Sequence, residues 1–248
     1  MKIINRTTLF ILLGIIFSCQ EQKTEVVICS SIHGLHKENP NYSYEDLFDY
    51  IDDNNPELLG VEVRQEDVDS STGYLEKFYP FEMHEIIRKY ESKLVLGFDW
   101  LGSSIEGKSI PENYFKELDI LKLQKAAAAD SLFQANLTEL EKLADIKNEI
   151  ASTSTIFELN SGKYDSINSI YYHKLDSLYE DTPYSKIANF YRSRDINVAK
   201  NIMDIVSKNR GKSMIFILGA DHRSRAIETF QERFGNDSSI RLIKILND

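Results

Sequence analysis

The order of apolar patterns along the chain predicts an α/β fold: a mostly parallel sheet flanked by helices, with a helical insertion capping the strand ends. Three observations carry this. Short β-rich apolar runs recur at 25–32 (EVVICSSI), 58–64 (LLGVEVR), 93–99 (KLVLGFD), 213–221 (SMIFILGAD) and 239–246 (SIRLIKIL). Helical patterns lie between most of them, and strands alternating with helices make parallel crossovers. From about Pro111 to Arg192 no strand pattern occurs, and Leu, Ala, Glu and Lys recur throughout.

The elements follow in order. The first run, 25–32, reads as a buried strand. In the next segment, SYEDLFDYIDDNNPE, Leu47, Phe48 and Ile51 fall at helical spacing, Ser43 is a ready N-cap, and the helix must end before Pro56. FEMHEIIRKYES plays the same part before the third strand. Within the insertion, Phe133, Leu137, Leu140, Leu143, Ile146 and Ile150 keep a three-to-four spacing and form one apolar face. A break near STSTIFELNSGK separates this helix from a second, tyrosine-rich one.

The 248 residues, 42% hydrophobic and 27% charged, supply one sizeable core, so 25–248 reads as a single domain with its insertion at about 111–192. A net charge of -10 without any basic cluster argues against a nucleic-acid surface. A neutral or cationic partner, or a metal, is expected instead. Lys2 and Arg6, the apolar stretch Leu9 to Phe17 and the Ser18-Cys19 junction form a secretory signal layout, 1–18, too short to span a bilayer. IFSC resembles a bacterial lipoprotein processing site; it makes Cys19 the lipidated first residue, with 19–24 a short linker, and a plain signal peptide is the alternative. The expected location is therefore export, with membrane anchoring through lipid on Cys19. Cys29 sits inside an apolar run and reads as a small core residue.

In an open parallel sheet, ligands bind beyond the carboxyl ends of the strands. The first strand delivers His33 and His36 there, the second Glu62 and Arg64, the third Asp99, and the fourth Gly219, Asp221, His222 and Arg223. His33, Glu62 and His222 suit a divalent transition ion such as Zn, Mn or Co, with neutral imidazole and carboxylate donors and an open position for water. Without a metal the same three act as acid and base groups on a water. Arg64 or Arg194 either stabilises a developing oxyanion or pairs with Glu62 or Asp99.

SSIHGLH, GVEVR, RSRDINVAKNI and FILGADHR together resemble the motifs of the TraB/PrgY, Tiki and GumN group, whose wider superfamily includes erythromycin esterases and ChaN-like haem-binding lipoproteins. The resemblance spans most of residues 25–225. It implies functional roles for His33, Glu62, Arg194, Asp195, Gly219 and His222, and hydrolysis of a peptide or ester, with a small molecule or peptide as substrate. Ser30-Ser31 and Arg192 depart from the pattern. His36, Arg64 and Asp99 are candidates on position alone. The ChaN-like branch implies haem capture instead, for which IYYHKL offers Tyr171, Tyr172 and His173 as axial ligands. The same tyrosines otherwise form an amphipathic packing face.

Overall fold

The computed structural model describes residues 22–246. The signal segment and Cys19 lie outside the described residues. Five strands, β1 (Thr24–Ser31), β2 (Leu58–Val61), β3 (Leu94–Gly97), β4 (Ser213–Gly219) and β5 (Ile240–Leu242), form one sheet in the order β3-β2-β4-β1-β5, every pairing parallel. Between β1 and β2 runs α1 (Tyr44–Asn54), and between β2 and β3 run α2 (Thr72–Phe78) and α3 (Phe81–Lys89). The insertion contains α4 (Tyr114–Glu117), α5 (Asp119–Ala129), α6 (Ser131–Gln134), α7 (Thr138–Thr153), α8 (Ile156–Leu159) and α9 (Lys163–Tyr179). It leads into α10 (Ser185–Lys208), and α11 (Ala220–Phe234) joins β4 to β5. No described helix is long and apolar enough to cross a membrane.

β1, β2 and β4 are buried on both faces because successive side chains alternate between two cores. Val27, Cys29, Leu59, Val61, Ile215 and Ile217 face α1 and α3, where Leu47, Ile51, Met83 and Ile86 close the layer. Val26, Ile28, Leu58, Met214, Phe216 and Leu218 face α10 and α11. Burial pushes the Cys29 thiol up to about 11, so it stays protonated as a core residue. A third, smaller cluster around Phe133, Leu137, Leu140, Leu175 and Ile187 holds the insertion together.

The connections leaving β1 and β4 place the site. These strands are neighbours, with Ser31 opposite Gly219. The chain after β1 packs on one face and α11 after β4 on the other, which opens a crevice between their carboxyl ends. Ser43 caps α1 reciprocally with Asp46, as its position before the apolar pattern requires.

Three details differ from the sequence expectation. β2 stops at Val61 because Val63 folds back to the Val61 carbonyl at 2.8 Å, and Glu62 is released from the ladder toward the crevice. The fourth apolar run, taken to 221, ends as a strand at Gly219, and Asp221, His222 and Arg223 form the first turn of α11. On α7, Lys147 is buried while Ile146 is 41% exposed, because the buried positions run Leu140, Lys147, Ile150 and Ala151.

Candidate functional site

At the end of β1 the chain turns sharply, and His33 adopts a left-handed backbone (φ 48), an unfavourable conformation for a residue with a side chain. The turn aims its ring at α3. His33 Nδ1 lies 2.6 Å from Glu82 Oε1, and the Ser31 hydroxyl donates to the same oxygen at 2.6 Å. Glu82 is wholly buried, and its second oxygen has no hydrogen-bond partner. The other ring nitrogen of His33 is directed at Gly219. A Cβ at that glycine would lie 2.7 Å from His33 Nε2 and 3.4 Å from Glu62 Oε2, so only glycine fits between them. Burial lowers the His33 pKa, but the Glu82 hydrogen bond and the charges of Glu62 and Glu82 outweigh it and hold the ring above 6.5.

A second histidine–carboxylate pair faces the first. The opening turn of α11 delivers His222, whose Nδ1 lies 2.5 Å from Asp195 Oδ1 on α10. Its Nε2 is 2.9 Å from Arg194 Nη1 and 3.3 Å from Glu62 Oε1. Desolvation opposes charge on this ring, yet the Glu62 carboxylate overrides it with Asp195 assisting, and His222 is pushed up to about 10 despite Arg194. Two carboxylates, Glu62 and Asp195, lie against this ring and favour its cationic form, while Arg194 is shared between Glu62 and Asp99.

Glu62 and Arg194 join the two pairs. Glu62 Oε2 accepts the Gly219 backbone N–H at 2.6 Å, and Oε1 accepts from Arg194 Nη2 at 2.6 Å. Burial raises the Glu62 pKa, but His222 and Arg194 together hold it well below the usual carboxylate range. Arg194 also reaches Asp99, with Nη2 2.9 Å from Oδ1. Asp99 is shifted upward, chiefly by burial, against the pull of Arg194.

Of the sequence candidates, His33, Glu62, Asp99, Arg194, Asp195, Gly219 and His222 thus meet at one place. His36 and Arg64 do not reach it. His36 lies behind His33, with Nδ1 2.9 Å from the Tyr42 carbonyl and Nε2 receiving the Ile32 N–H at 3.2 Å. Burial lowers its pKa, and the ring packs between Tyr42 and Tyr44. Arg64 is spent on Asp67 and the carbonyls of Ile105 and Lys108, bracing the loop after β3, which leaves Arg194 as the remaining candidate of the two for an oxyanion role. Arg223 points away, to Asp165 and the Ile28 carbonyl. Asp221 does not: it borders the cavity and is held by Lys147 at 2.9 Å and the Tyr164 hydroxyl at 2.5 Å.

Glu82 and Lys147 were not among the sequence candidates. Both stand among buried apolar residues of their helices: Glu82 beside Met83 and one turn before Ile86, and Lys147 between Leu140 and Ile150. A charge in such surroundings is the signal that finds them, because burial without a partner is too costly.

The two dyads open on a cavity of about 560 Å³, with His33, Glu62, Asp99, Arg194 and His222 at its floor and apolar side chains around it. Of the tyrosine-rich helix only Tyr172 lines this cavity, while His173 is exposed. Tyr171 and Tyr172 face the Lys147 ammonium, 4.2 and 5.3 Å from the ring centroids, and burial raises both phenols away from phenolate.

The donor set does not suit a divalent ion as arranged. The Arg194 guanidinium already lies against Glu62, Asp99 and His222, and a metal at His33, Glu62 and His222 needs both rings deprotonated. Among the described residues no group of three or more His, Cys, Asp or Glu is placed to hold a metal ion. Haem finds one cavity tyrosine and no paired histidine on α9. Compared with family models, curated proteins and solved structures, the chain matches none, and the geometry of the two dyads therefore carries the functional reading.

Proposed function

We propose that the chain is a hydrolase of ester or amide bonds, working by general acid and base catalysis at the two histidine–carboxylate pairs. The observation that carries this reading is the convergence of His33 and His222 with Glu62 in one cavity, each ring fixed through its Nδ1 by a buried carboxylate. A carboxylate on Nδ1 sets the ring's orientation and supports the imidazolium that forms when the ring takes a proton.

The roles divide by charge. Once neutral, His33 takes a proton from a water, whose oxygen bonds to the carbonyl carbon. The resulting oxyanion is stabilised by the Arg194 guanidinium. His222, whose cationic form Glu62 and Asp195 favour, carries a proton on Nε2 once the Arg194 guanidinium, which can only donate to that nitrogen, turns to the oxyanion, and gives it to the leaving oxygen or nitrogen as the bond to carbon breaks. The acid product releases a proton, His33 returns its own to solvent, and His222 is reprotonated. Glu62, held as a carboxylate, is a poor base; it fixes Arg194 and His222 and stabilises their charge.

The motif resemblance to the TraB/Tiki and erythromycin esterase superfamily agrees with hydrolysis and remains part of the proposal, as does export with anchoring at Cys19. A panel of p-nitrophenyl esters and anilides, assayed with and without a chelator, tests it. Turnover that survives the chelator and falls by about 100-fold or more in His33→Ala and in His222→Ala is expected, in line with loss of a general acid or base. Turnover abolished by the chelator and restored by Zn, Mn or Co would return the mechanism to a metal. Turnover equal in parent and His33→Ala would end the hydrolase reading.

A further inference from the structure

The cavity above the dyads carries information about what enters it. Arg194 is its only lining arginine or lysine, and that guanidinium is already bonded to Glu62 and Asp99. Asp221 adds a carboxylate at the rim with its side chain 42% exposed, while Lys147 contacts it from behind. The charges of the floor and rim are paired with one another, Glu62 and Asp99 with Arg194, Glu62 also with His222, and Asp221 with Lys147, so a charged substrate would be desolvated there without a partner to spare. The walls are different in kind. Phe78 from α2, Tyr114 and Phe115 from α4, and Phe190 and Tyr191 from α10 line one continuous cavity. Phe78 and Phe115 lie 6.4 Å apart between centroids, Tyr114 meets Phe115 edge-on at 5.3 Å, and Phe190 meets Tyr191 edge-on at 5.5 Å. Phe115 leaves 42% of its surface exposed beside that cavity, and an uncovered aromatic next to a polar centre is what an apolar ligand would cover.

Resting on the hydrolytic reading above, we infer that the substrate is an uncharged ester or amide with a bulky apolar acyl group, which sits against the aromatic wall of α2, α4 and α10 while its carbonyl lies over His33 and Arg194. Much of that wall belongs to the helical insertion, so the insertion sets substrate choice and the strand ends supply the chemistry. Free fatty or aryl carboxylates bind poorly, which also lets the acid product leave.

Binding tests this without requiring turnover. The full chain is titrated calorimetrically with 4-phenylbutyramide and with 4-phenylbutyrate, two probes of one shape that differ in charge. The amide is expected to bind at least about tenfold more tightly than the carboxylate, because an added anion loses its water where every cation is already paired. Phe115→Ala should weaken the amide about three- to tenfold with an unchanged melting temperature, since the ring is already half uncovered. Equal affinity for the two probes, or an amide affinity indifferent to Phe115→Ala, overturns the substrate class. Selective amide binding without hydrolysis of p-nitrophenyl 4-phenylbutyrate leaves the ligand class standing and removes the hydrolase. Hydrolysis of p-nitrophenyl acetate without selective binding does the reverse.

Discussion

Replacing Glu82 by Gln isolates the part of the site that lies furthest from the substrate. The carboxylate is fully buried, and one oxygen takes both the His33 ring at 2.6 Å and the Ser31 hydroxyl at 2.6 Å. Burial favours its neutral form, but the His33 hydrogen bond and charge hold its pKa below the usual value, so it is ionised beside the ring. When His33 accepts a proton in the transition state, that carboxylate stabilises the new imidazolium. A hydrogen bond to a charged group contributes about 1.5–3 kcal/mol. Glutamine keeps an acceptor of the same shape but no charge, so about 2 kcal/mol of transition-state stabilisation is lost, or about 30-fold in kcat/KM. His33 loses the partner that raised its pKa, so the acidic limb of the pH profile moves downward in the variant. Stability changes by only about 1 kcal/mol, because a buried carboxylate with one unpartnered oxygen is exchanged for a neutral amide. The assay is ester hydrolysis across pH, with thermal unfolding on the same samples. An unchanged rate with an unmoved limb refutes the dyad; so does a rate loss explained entirely by unfolding.

The other predictions are simpler. Gly219→Ala places a methyl 2.7 Å from His33 Nε2, and activity should fall by at least about tenfold while the Gly219 N–H still reaches Glu62; crystal coordinates with an undisplaced His33 would refute this. Lys147→Met removes the ammonium from Asp221, whose partial exposure limits the cost to about 1–2 kcal/mol in urea unfolding; a loss of 4 kcal/mol or more, measured on the same scale, would mark a fully buried pair instead. If Cys19 carries the lipid anchor proposed above, Cys19→Ser should move the mature protein from the membrane to the soluble fraction. Retention equal to the parent would remove the lipoprotein assignment.

What was legible in the sequence follows the physics of each element. Strands buried on both faces are continuous apolar runs, so β1 and β4 were plain, and the crevice at their ends followed from the parallel order. His33, Glu62, Asp99 and His222, which lie at or just past the ends of four such runs, were found for the same reason. Side-chain direction at a strand end is another matter. Arg64 follows Glu62 by two residues and turns to the loop at Ile105 and Lys108 through long-range contacts that spacing does not encode. His36 follows His33 by three, yet a single 3₁₀ turn rolls it behind its neighbour against Tyr42. Glu82 and Lys147 were legible only as charges out of place among apolar residues, and their partners lie 49 and 74 residues away in the chain.

The pH dependence of kcat/KM for an uncharged ester, corrected for background hydrolysis, tests the central claim most directly. A base that must be neutral and whose pKa lies above 6.5 gives activity that rises with pH through an acidic limb above 6.5. An acid that must be protonated and is pushed up to about 10 gives a second limb, where activity falls as pH rises through about 10. The account predicts a bell with its optimum between these limbs, the lower limb absent from the residual rate of His33→Ala and the upper one from that of His222→Ala. An acidic limb near 4, in the carboxylate range, with no fall toward pH 11, would make Glu62 the base and contradict the two-dyad site.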